Sequence, residues 1–322
     1  MKVSNYLVLV LITFCLFGCK SQELDEYTKT LNYFGNEIKI KIYVSSEDKA
    51  KKAFNDIEEI YAKYEDIIDR NNLGSEISYI YTNNLDDKKI KVSNEMNSLI
   101  QYGIKWYKAS NGLLSFNTGD LIDLWDEYYK SSLLPSKEKI KNIDTSIENI
   151  IIKNNILDNN HYNLSFDQFI QGYTNSLVKE YLKKMHIDYY FINTSSEVMA
   201  GKNIENNNYI IALSNPFNNE LLKTLQIQNK YVSTKSIYHN SYEYDDELYS
   251  KIVNAKDKTM GNKMVSVTVI SNDPEVSDMV ATMLFLVNYT EGLKIAKKYN
   301  VDVIWCYYDE DGNEVIKMTD NM

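Results

Sequence analysis

A short strand that runs straight into a helix constrains this chain more than any other segment. Ser266-Val-Thr-Val-Ile-Ser271 is dense in β-branched residues, which favour a pleated strand. Asn272-Asp273-Pro274 then supplies a capping acid and a proline at the first helical position. Asp278 and Thr282 follow four residues apart, so they share one face of an otherwise apolar helix. A carboxylate and a hydroxyl placed this way can hold a hard cation such as Mg²⁺, which takes oxygen ligands. The pair also has a plain structural account. An acid early in a helix is favoured by the macrodipole, and a threonine can bond back to the preceding turn.

The N-terminus reads as a processed leader. Lys2 precedes a run from Tyr6 to Phe17 that is almost wholly apolar, and Gly18-Cys19 follows. The run is shorter than the roughly 20 residues of a membrane span, and its layout is that of a secretory signal over residues 1–18. Leu16-Phe-Gly-Cys19 resembles a bacterial lipobox, with Phe17 as its unusual position. The resemblance implies a lipid on Cys19 and a polar tether over residues 19–28. The protein would then sit in the cell envelope, anchored to a bacterial membrane on its extracytoplasmic side. An uncleaved anchor or ordinary secretion is the alternative. Of the three cysteines, Cys15 leaves with the signal and Cys19 carries the lipid. Cys306, in the strand-like Val301-Asp-Val-Ile-Trp-Cys-Tyr-Tyr308, is left as a buried small hydrophobe.

Net charge is −10 and no basic stripe occurs, which argues against a nucleic-acid partner. Arg70 is the single arginine. Any phosphate must therefore be held chiefly by lysine, backbone N–H or a metal. The roughly 300 residues after the leader suffice for one large domain or two intimate lobes.

Alternating Ile38, Ile40 and Ile42 within Leu31–Val44 predict a hairpin turning at Gly35-Asn36. Ser45 to Asp69 reads as a long helix with a cap at Ser45-x-x-Asp48 and a stripe of Ala53, Ile57, Ile60, Tyr61 and Tyr64. Glu95–Lys108 and Phe166–Met185 read as helices, and Asn111 to Trp125 as a loop. Further hairpins are predicted around Asn154-Asn155 and Asp311-Gly312, and an exposed hairpin tip over Tyr242, Tyr244, Asp245, Asp246 and Glu247. Tyr189–Asn193 and Tyr209–Leu213 read as further strands. Hairpins mixed with helices argue for an α+β fold. His161, His186 and His239 are scattered, without carboxylates at metal-site spacing.

Four segments, in order, resemble the ApbE family of flavin transferases. They are Gly74-Ser-Glu-Ile-Ser78, Ser110-Asn-Gly112 through Gly119 to Trp125, Ile170-Gln-Gly-Tyr173 with Asn193 downstream, and the Ser266 strand with Ser277-Asp278 to Thr282. The resemblance covers residues 29–322. It implies mixed sheets and helices in two intimate lobes around a flavin cleft, and a monomer. It implies use of Mg²⁺ to cleave FAD, release AMP and place FMN on a threonine of a partner protein. The metal ligands it implies are Asp278, Thr282 and the backbone carbonyl of Ile170. The flavin-nucleotide contacts it implies are Asn71, Ser75, Glu76, Asn117, Gln171, Tyr173, Thr234 and Lys235.

The departures from the family pattern cluster in the nucleotide-contact segments. A family lysine before Gly-Tyr is Gln171, a Gly-Gly is Ser195-Ser196, and a Thr-Ser-Gly is Thr234-Lys235-Ser236. The family histidine proposed to assist proton transfer falls at Lys251, which offers charge to a phosphate more readily than it serves as a base. Family members often carry an aromatic at the position of Asn71; a smaller polar residue there would leave the reacting phosphate more open to water, while the plain alternative is that Asn71-Asn72 turns the loop. Two other readings therefore stand beside FMN transfer: hydrolysis of FAD to FMN and AMP, and a non-catalytic flavin-binding envelope protein.

Overall fold

The structure is a computed structural model and describes residues 23–83, 89–158, 162–239, 241–245 and 247–320. The expected leader, Cys19, His161 and Asp246 lie outside the described residues. Among the described residues no helix is long and apolar enough to cross a membrane.

An eight-stranded antiparallel sheet organises the chain. Its strands are β1 (Asp25–Tyr33), β2 (Asn36–Val44), β3 (Tyr190–Asn193), β4 (Glu197–Ala200), β5 (Lys230–Ser236), β6 (Ser266–Ser271), β7 (Asp302–Tyr308) and β8 (Glu314–Met318). Their order across the sheet is their order in the chain, and the sheet is open, with β1 and β8 at its edges. The expected α+β class is what the structure shows. Large insertions interrupt the meander. Between β2 and β3 lie helices α1 (Glu47–Ile68), α2 (Glu76–Asn83), α3 (Asn94–Ala109), α4 (Gly119–Lys130), α5 (Lys137–Lys141) and α6 (Ile170–Lys184). Between β6 and β7 lie α7 (Pro274–Leu286) and α8 (Tyr289–Tyr299). A three-stranded sheet of Ser241–Tyr244, Glu247–Asn254 and Thr259–Gly261 is inserted between β5 and β6.

Local chemistry explains the elements that frame the cleft. β2 alternates Ile38, Ile40 and Ile42 inward, and α1 covers them with Ala53, Ile57 and Tyr61. The cap of α1 is Ser46, one residue later than expected, and it accepts from the Lys49 amide. Strand β1 begins at Asp25, so the last four residues of the expected tether belong to the sheet. The hairpin turns at Phe34-Gly35 rather than Gly35-Asn36, with φ of 53° and 70°. A two-residue hairpin favours positive φ at both central positions, and Phe34 tolerates it because its amide donates to Glu65 Oε1 at 2.6 Å and its ring packs on Tyr61.

Helix α7 starts as predicted, with Asp273 accepting from the Glu275 and Val276 amides and Pro274 in the first turn. It is buried on every side, packed on β5, β6, α6 and α8. A helix that is apolar all round belongs inside the fold, and each large side chain it buries contributes about 1.5–3 kcal/mol. The stretch read as a loop up to Trp125 contains α4, whose Leu121, Ile122 and Trp125 are buried. Their i, i+1, i+4 spacing is a helical stripe that the preceding segment, rich in turn residues, obscured. Tyr242 is not part of an exposed tip. It is buried against Trp125 and its hydroxyl donates to Asp126. Cys306 is a buried free thiol, as expected.

Candidate active site

The floor of the site is built by strand register. Glu197 on β4 lies directly across from Ser233 on β5, so the two side chains are neighbours on one face. Lys235, two residues along β5, projects to the same face. Helix α7 lies over β5 and lowers Asp278 onto this group. Asp278 Oδ1 accepts from the Lys235 ammonium, and Glu197 Oε1 accepts from Lys235 Nζ at 3.3 Å and from Ser233 Oγ at 2.7 Å.

The N-terminus of α6 closes the remaining side. The Gly172 amide, in the first turn and without an intrahelical acceptor of its own, donates to Asp278 Oδ2 at 2.8 Å. A Cβ at 172 would sit 2.6 Å from Asp278 Oδ2 and 2.9 Å from its Cβ. Glycine is therefore what lets α6 and α7 approach closely enough for this bond.

Burial governs the electrostatics of the floor. It pushes the Glu197 carboxyl up to about 8; Lys235 opposes this rise and Asp278 adds to it. Burial alone would pull Lys235 down, but the Asp278 and Glu197 carboxylates outweigh it and hold its pKa above the usual lysine value. Lys235 is thus ion-paired with both buried acids, in direct contact with Asp278 and at 3.3 Å from Glu197, whose Oε1 accepts two hydrogen bonds.

Above this floor opens a cleft of ≈ 750 Å³. Asn71, Gln171, Thr234, Lys235 and Lys251 line it, together with Ile170, Asp278 and Thr282. His239 also reaches its wall. At the lip, Arg70 pairs with Asp123 at 2.8 Å and Lys251 with Asp126 at 3.3 Å. The Lys251 ammonium also lies over the Tyr242 ring.

Four expected contact residues are placed elsewhere. Ser75 is buried and its hydroxyl accepts from the Ser78 amide in the first turn of α2. Glu76 clasps α3, accepting from the Ser93 amide and hydroxyl, both at 2.6 Å. Asn117 donates to the Asp144 and Ser146 carbonyls and pins one loop to another. Tyr173 turns into the core, edge-on to Tyr64 and Tyr102, with its hydroxyl 3.2 Å from that of Tyr64. Ser75 and Asn117 lie in the turns that lead into α2 and α4, and the bonds of all four are to the protein itself.

The residues that sequence reasoning missed are Glu197 and Ser233, along with the Arg70 pair. The available signal was an acid and a serine at inward positions of short strands, but which strands pair is not a local property.

The expected Mg²⁺ ligands meet a competing cation. Asp278 Oδ1 is taken by the Lys235 ammonium and Oδ2 by the Gly172 amide. Thr282 Oγ1 donates back to the Asp278 carbonyl at 2.9 Å, and the Ile170 carbonyl accepts from Thr174 at 2.8 Å. No group of three His, Cys, Asp or Glu among the described residues is placed to hold a metal ion. Mg²⁺ demands near-octahedral oxygen ligation, and a lysine seated on the Asp278 carboxylate does not fit it.

Comparison with known proteins agrees with this architecture. FAD:protein FMN transferases of Vibrio cholerae and Buchnera aphidicola are 23% and 28% identical over 231 and 245 residues, about 70% of each chain. The flavin transferase ApbE from Vibrio cholerae superposes with a TM-score of 0.77 at 19% identity, over 92% of this chain and 98% of that one. The ApbE protein of Thermotoga maritima does so at 0.80 and 17%, over the same shares. The ApbE family model matches residues 34–305, a span that contains β2 to β6, α6, α7 and the cleft they enclose, and the chain therefore belongs to the ApbE family.

Proposed function

We propose that this protein transfers FMN from FAD to a threonine hydroxyl of a partner protein. The observation that carries this reading is a cleft of ≈ 750 Å³ with a buried cation on its floor, set in the ApbE fold. That volume suits a cofactor-sized ligand, and the relatives are named for this activity. In the reaction, the acceptor oxygen attacks the FMN phosphorus. The anhydride bond breaks, AMP leaves with the bridging oxygen, and the hydroxyl proton passes to solvent or a base. Lys235 on the floor and Arg70 and Lys251 at the lip offer positive charge to the phosphates. The ion pair of Lys251 with Asp126 supports that role over taking the proton.

Incubation with FAD and a threonine-bearing acceptor should yield AMP and a covalently fluorescent acceptor. FAD that stays bound with neither product would leave flavin binding as the function. Asn71, exposed on the cleft wall, favours hydrolysis as a second reading; AMP and free FMN without acceptor would establish it. The envelope location through Cys19 belongs to the same proposal. Cys19→Ser should release the protein from the membrane fraction, and an unchanged distribution would refute the anchor.

A further inference from the structure

A lysine is seldom buried without a specific partner. The Lys235 side chain is 15% exposed and reaches two carboxylates that are 5% and 0% exposed. An ammonium has three N–H donors. One is directed at Asp278 and one at Glu197, which leaves a third for a ligand, and Lys235 also lines the cleft.

We infer that the Lys235 ammonium is the resident cation of this site, and that the chain binds the pyrophosphate of FAD without a divalent metal. This rests on FAD being the ligand, as proposed above. The geometry supports the substitution in three ways. The ammonium contacts the carboxylate oxygen that a metal would need. The other oxygen of Asp278 is held by the Gly172 amide, so it cannot swing to a second cation without giving up that bond. A divalent ion seated beside Lys235 would meet a like charge in a poorly solvated pocket, where repulsion is strongest. Lysine also behaves as a point charge toward phosphate. In the transfer reaction it would neutralise charge on the departing AMP phosphate, the bonds formed and broken being those given above.

The test uses the purified protein without further modification. FAD binding is followed by flavin fluorescence in EDTA and in millimolar Mg²⁺, and Mg²⁺ alone is titrated calorimetrically. The expected result is the same FAD affinity in both buffers and no Mg²⁺ binding. Lys235→Met should weaken FAD binding by about 10- to 100-fold, and Mg²⁺ should not restore it. Lys235→Ser vacates the carboxylate and supplies an oxygen in its place. This variant should acquire saturable Mg²⁺ binding and a Mg²⁺-dependent rise in melting temperature that the unsubstituted protein lacks.

Loss of FAD binding in EDTA, or Mg²⁺ binding by the unsubstituted protein that Asp278→Asn removes, would overturn the inference while leaving FMN transfer intact. If FAD binds in neither buffer, the FAD reading falls, and Mg²⁺ calorimetry on the unsubstituted protein still decides the cation. Because that arm needs no variant, a Lys235 variant that fails to fold leaves the inference open to refutation.

Discussion

The floor and the lip of the cleft carry the same kind of pair, a basic side chain against a carboxylate, under opposite solvation. At the lip, Lys251 and Asp126 are 37% and 40% exposed; Arg70, itself 20% exposed, faces an Asp123 that is 56% exposed. On the floor, Asp278 is fully buried and Lys235 nearly so. Exposed pairs are worth about 0–1 kcal/mol, so an incoming phosphate can take Lys251 from its carboxylate at little cost. The buried pair is different. Each charge has given up water and depends on the other. The lip is built to exchange partners, and the floor to keep them.

The sharpest way to break this contrast is to remove one floor partner. Asp278→Ala should strand the Lys235 charge and destabilise the fold by about 3–5 kcal/mol, read as a drop in the urea midpoint with an unchanged slope. A loss under about 1 kcal/mol would make floor and lip equivalent. Gly172→Ala should come next, at about 1–3 kcal/mol, because its Cβ would press on Asp278. Its FAD affinity should fall as well, since the helix shift it forces moves the carboxylate that holds Lys235.

Glu197 tests the floor through pH. Its folded pKa of about 8 lies above the ordinary value of 4.5 because burial disfavours the charge. The folded protein therefore holds this proton more tightly than the unfolded chain does. The resulting stability is fully present below about 4.5 and is lost as pH rises through about 8. Glu197→Gln should flatten melting temperature against pH across that window, and near pH 9 it should be the more stable of the two proteins. Parallel profiles would sink the assignment. The smallest stability effect belongs to the lip. Lys251→Met should change stability by less than about 1 kcal/mol yet weaken FAD binding by about tenfold. Its binding loss should shrink at high salt, while that of Lys235→Met should persist.

Elements with strong local signals were legible. The β6–α7 junction, with its β-branched strand and Asp273-Pro274 start, folds as read. So does the β1–β2 hairpin, apart from a one-residue shift of the turn that Phe34 accepts because Glu65 on α1 holds its amide. Helix α4 was missed because its buried stripe is short and follows a segment rich in turn residues. Site residues were harder. Ser75, Glu76, Asn117 and Tyr173 make internal contacts, whereas Glu197 lies 38 residues before Lys235 in the chain and touches it.

What the sequence determined by itself is local and compositional: the strand that runs into α7, Asp278 and Thr282 on one helical face, a lysine at 235, and glycine at 172. Local sterics and hydrogen bonding settle such features within a few residues. Only the tertiary structure decided that Lys235, and not a free coordination site, faces Asp278. That outcome depends on the β4–β5 register, the seating of α7 over it, and an α6–α7 approach that Gly172 alone permits. Each is a long-range packing choice, and burial then turned an ordinary helix acid and strand lysine into a locked pair.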